Sequence, residues 1–61
     1  MTGSEIIKDI QKDIRDACSN PADYKGYVDN CLLHDPTAMA GFYNSTVEQI
    51  KYYCKRALLS V

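Results

Sequence analysis

Sixty-one residues, 46% apolar and 25% charged, make one domain of ordinary globular composition and exclude a disordered segment. A net charge of −1 supplies no general attraction to nucleic acid or anionic lipid, and no apolar run approaches the roughly 20 residues that span a bilayer. Met1-Thr2-Gly3-Ser4-Glu5 carries no basic stretch leading into an apolar one, so no secretory leader is read and cytoplasmic residence is the expectation.

In chain order, Thr2 and Glu5 have the spacing of a capping box, with Ser4 as a second candidate cap. Ile6, Ile7, Ile10, Ile14, Ala17 and Cys18 then fall within an arc of roughly 120° on a helical wheel. Lys8, Lys12 and Arg15 form one outer stripe, and Asp9, Asp13 and Asp16 form another. A first helix over residues 5–18 follows. Asn20-Pro21 punctuates the chain: Asn20 is a good N-cap, and Pro21 suits the first helical position because its missing N–H would be unpaired there. Tyr24, Tyr27, Val28, Cys31 and Leu32 share the face of a second helix over 21–34.

Asp35-Pro36 repeats the punctuation. Beyond it, Met39, Tyr43, Thr46, Val47, Ile50, Tyr53, Cys54, Ala57 and Val61 lie within roughly 80° of one line, with no slip in phase across Asn44-Ser45-Thr46. That continuity favours one third helix over 36–60, roughly 36 Å long at about 1.5 Å per residue. The alternative is a break near 44–45, with a new helix capped at Ser45 and boxed by Glu48. The expected fold is all-α: a small three-helix bundle of residues 1–61 with a long C-terminal helix. Such a helix carries more apolar stripe than two shorter helices can cover, which points to association.

Chemistry finds little purchase. Cys31 and His34, one turn apart, lack a third orienting group and an oxyanion donor, so no catalytic residue and no enzyme are expected. Cys18, Cys31, His34 and Cys54 together equal a zinc-ligand set, yet no C-x-x-C knuckle exists. Packed thiols are the expectation, with neither metal nor cofactor. Lys51, Lys55 and Arg56 form a basic edge that Glu48 interrupts. This edge supports a DNA-binding regulator only as the alternative reading.

The residues without a core excuse carry the functional expectation. Leu33 lies opposite the face of its helix, unless it folds over the turn into the next one. Tyr52 and Leu59, seven apart, align on the reverse of the Ile50 face with Arg56 beside them, while Phe42 and Tyr53 flank the core stripe. Aromatics and Arg dominate desolvated interfaces. Leu33, Phe42, Tyr52, Tyr53, Arg56 and Leu59 are therefore the candidate partner-binding residues of a non-catalytic regulator, inhibitor or adaptor. Its partner is another protein, with a homodimer included. Two structural readings compete with this: single exposed apolar residues are ordinary on a protein surface, or Tyr52 and Leu59 are buried as a second core face of a central helix.

Overall fold

The computed structural model describes residues 1–61, which form four α-helices, one 3-10 turn and no strand. α1 (Gly3–Ala17) opens on the anticipated capping box: the Thr2 hydroxyl accepts from the Glu5 N–H at 3.2 Å, and the Glu5 carboxylate accepts from the Thr2 N–H at 3.0 Å. This closes two of the N–H groups a helix start leaves unpaired. Ile6, Ile10 and Ile14 line its buried side, and Ala17, placed on the apolar arc by the wheel, is exposed. Asn20 caps as expected, its side chain accepting from the Ala22 N–H at 3.0 Å. The turn it opens, Pro21–Asp23, is 3-10, and α2 (Tyr24–His34) begins only after it. α2 is the most lightly buried long helix: Val28 alone is fully inside, with Tyr24, Tyr27, Cys31 and Leu32 half-buried.

The single long third helix does not form. α3 (Pro36–Phe42) stops, and α4 (Val47–Ser60) starts afresh. Asp35 occupies the N-cap position of α3, though its side chain makes no capping bond. Asn44 takes φ 52°, the left-handed region that Asn tolerates better than other residues with a side chain. With Asn44 there, its N–H donates to the Gly41 carbonyl at 3.2 Å and the Ser45 N–H donates to the Ala40 carbonyl at 2.8 Å. This is the Schellman closure of a helix end. Thr46, rather than Ser45, then caps α4. Its hydroxyl accepts from the Gln49 N–H at 3.1 Å, and the Gln49 side chain accepts from the Thr46 N–H at 2.9 Å. The phase survives the break because both segments must present their apolar sides to one core, a constraint that continuity of the backbone merely imitates.

That core comprises Ile6, Ile10, Ile14, Val28, Ala40, Tyr43, Ile50, Cys54 and Ala57. α1 against α4 is the principal interface. It advances in the same direction along both helices, with Gly3 beside the Tyr53 ring and the Gln11 amide donating to the Ser60 hydroxyl at 2.7 Å. Tyr43 ties the break to α1 by donating from its hydroxyl to the Asp9 carboxylate at 2.6 Å. No buried side-chain nitrogen or oxygen lacks a hydrogen-bond partner. Once broken, the C-terminal segment no longer outruns its companions: α4 has 14 residues against 15 in α1. The surplus of helix length from which association was expected is therefore absent. No helix is long and apolar enough to cross a membrane.

Candidate interaction surfaces

The six candidate residues divide among several places. Tyr52 and Leu59 stand on the outer side of α4, 57% and 70% exposed, because seven residues return almost to the same line on a helix. Both would be covered if α4 were a central helix packed on two sides, so that structural reading is overturned. Lys55 and Arg56, also exposed, lie between them on the same stripe. Tyr53 does not belong to this surface. It is half-buried, and its ring sits against Gly3 so closely that a Cβ there would come within 3.2 Å of Cε1. Its neighbour Tyr52 meets it edge-on, with ring centroids 5.8 Å apart. Leu33 does not fold over onto α3 but points outward from the last turn of α2, 77% exposed.

Phe42 belongs to a second feature that sequence reasoning missed. It is 76% exposed and meets the Tyr43 ring edge-on at 4.9 Å. The two stand on one wall of a groove of about 420 Å³ between α1, α2 and α3. Tyr27, Cys31, Met39 and Tyr43 make its less exposed depth, while Asp13, Asn30, His34, Asp35 and Phe42 make its rim. A smaller cavity of about 40 Å³ continues inward to Cys54 and shares Asp13, Tyr27, Cys31 and Met39. The break at Asn44 was the one signal for this groove, since it takes α3 out of line with α4 and lets its residues line one groove with those of α1 and α2.

Electrostatically the groove is one-sided. Neither Lys nor Arg lines it. The Asp13 carboxyl is held above its ordinary range, first by partial desolvation and then by Asp9 and Asp16 beside it, with Lys12 opposing. The Tyr27 phenol is pushed up by burial and by the neighbouring Cys31. Tyr43 is pushed up by burial and because its hydroxyl already donates to Asp9. The only ion pair in the molecule, Lys25 with Asp29 at 2.7 Å, lies within α2 and leaves the carboxylates of the groove unpartnered.

The cysteines behave as small packed side chains. Cys18 and Cys54 are buried, and the Cys18 thiol donates to the Asp23 carbonyl at 3.8 Å. Burial, with a smaller contribution from Cys31, raises the Cys54 thiol to about 11 and keeps it protonated. His34 is exposed at the groove rim, and no three Cys, His, Asp or Glu side chains gather closely enough to hold a metal ion. No protein-family model, curated protein or solved structure matches this chain.

Proposed function

We propose that this domain is a non-catalytic protein–protein interaction module, a small regulator, inhibitor or adaptor that presents the outer face of α4. The observation that carries the reading is the stripe of Tyr52, Lys55, Arg56 and Leu59. Two large apolar side chains stand in water beside two cations that no carboxylate neutralises. An aromatic with an adjacent arginine is the combination that yields most binding energy once a partner excludes water. Tyr53 acts beneath this face as a support and no longer as a contact. Leu33, on α2, and Phe42, on α3, lie outside this face.

The test is the double variant Tyr52→Glu with Leu59→Glu. It is expected to keep its helical circular-dichroism spectrum and its melting temperature, because neither residue is buried. It is also expected to lose self-association and capture of a protein partner from the native host. Unchanged association and capture would sink the proposal.

A second reading, a small DNA-binding regulator, draws on Lys51, Lys55 and Arg56, all exposed and unpaired. Salt separates the two. Affinity for duplex DNA would fall steeply between low and moderate salt, in proportion to the phosphates neutralised.

A further inference from the structure

The charges of this chain are unevenly placed. Lys51, Lys55 and Arg56 on α4 face only Glu48 there, whereas the rest of the molecule holds seven of the eight acidic residues and four of the seven cations. The apolar groups outside the core follow the same division. Tyr52 and Leu59 accompany the basic face, and Phe42, Met39 and Tyr27 accompany the acidic groove. α4 contributes no residue to that groove, so the two surfaces are separate patches of one molecule. Each offers what the other lacks: a ridge of aromatic and aliphatic side chains carrying cations, and a concave aromatic slot rimmed by the unpartnered carboxylates Asp13 and Asp35.

We infer that the α4 face of one copy seats in the α1–α2–α3 groove of a second copy, with Tyr52 against Phe42 and Met39 and with Lys55 and Arg56 against Asp13 and Asp35. The inference rests on the α4 reading above and adds the identity of the surface that receives it. Charge complementarity selects this occupant, because a partner offering an acidic or neutral apolar face would leave the groove carboxylates desolvated without a counter-ion. The contact joins unlike patches, so a two-fold symmetric pair makes it twice over. A larger closed ring also satisfies every copy, whereas an open assembly leaves a free groove at one end and a free α4 face at the other.

Sedimentation equilibrium on the intact chain tests this with two charge-reversed variants, Lys55→Glu with Arg56→Glu and Asp13→Lys with Asp35→Lys. Each alone is expected to weaken self-association at least roughly tenfold, as like charges then face each other. Mixing the two is expected to restore association to the wild-type level, because the reversed face then meets the reversed groove. Phe42→Ala, a change at an exposed side chain, is expected to weaken it without altering charge. A wild-type chain that stays monomeric at millimolar concentration overturns the inference and leaves the α4 reading to be judged on other partners. Groove variants that associate like wild type also overturn it. If Tyr52→Glu with Leu59→Glu abolishes association in that case, the α4 face stands and only the receiving surface is wrong.

Discussion

At Asn44 the backbone adopts φ 52°, the conformation through which the C-terminal half turns. A Cβ-bearing side chain that cannot hydrogen-bond locally is disfavoured in that region by about 1–2 kcal/mol. Asn44→Ala is therefore expected to lower unfolding free energy by about 1 kcal/mol in urea titration, with Asn44→Gly equal to wild type or better. A destabilised glycine variant would show that the asparagine side chain, rather than its backbone tolerance, matters there.

Cys54 makes a second demand at the residue scale. Its thiol, ordinarily near 9.0, stays protonated to about 11 when folded, because burial disfavours the thiolate. In the unfolded chain the thiol ionises near its ordinary value. Its stabilising contribution is therefore complete below that value and drains away as pH climbs toward the folded one. The stability advantage of wild type over Cys54→Ala is expected to shrink by about 2 kcal/mol between pH 8 and pH 11, read from melts across that range. A constant difference would contradict the shift.

At the scale of elements, the starts of α1 and α3 are legible in the sequence. α2 begins three residues late behind a 3-10 turn, and at α4, where two starts compete, the spacing alone does not choose. Ser45 with Glu48 and Thr46 with Gln49 have the same box spacing. The Schellman closure settles the matter by drawing the Ser45 N–H back to the Ala40 carbonyl, which makes Ser45 part of the ending of α3. The Ser45 hydroxyl donates to the Tyr43 carbonyl at 3.1 Å, so it too serves the turn. Thr46→Ala is accordingly expected to cost about 1 kcal/mol, and Ser45→Ala less, by chemical denaturation. The reverse ranking would mean that α4 starts one residue earlier in solution. α2 depends least on its own burial and most on neighbours, since Val28 is its only fully enclosed residue.

For the whole molecule, few buried side chains carry the fold. Ile14 and Ile50 are both 0% exposed and lie on the two helices with the principal interface. Truncating a buried isoleucine to alanine costs about 2–5 kcal/mol, whereas a chain of this length holds roughly 3–9 kcal/mol in total. Ile50→Ala is therefore expected to abolish cooperative thermal unfolding or bring the transition near room temperature, monitored by circular dichroism. A melting temperature within a few degrees of wild type would show that the core is redundant. Tyr52→Glu with Leu59→Glu, equally drastic in chemistry, should leave the melt untouched, and the contrast separates core from presented surface.

By itself the sequence determined the all-α class, the two punctuated turns at Asn20-Pro21 and Asp35-Pro36, the capping box at Thr2 and the isoleucine face of α1. Each rests on interactions within a few residues of chain: helical period, side-chain caps, the missing N–H of proline. Tertiary structure decided the break at Asn44, the withdrawal of Tyr53 against Gly3, the exposure of Leu33 and the existence of the groove beside Phe42. In those places the helical period fits more than one arrangement, and packing across the core chose between them. An amphipathic period records which side of a helix wants cover, but only the neighbouring helices determine how much cover it receives.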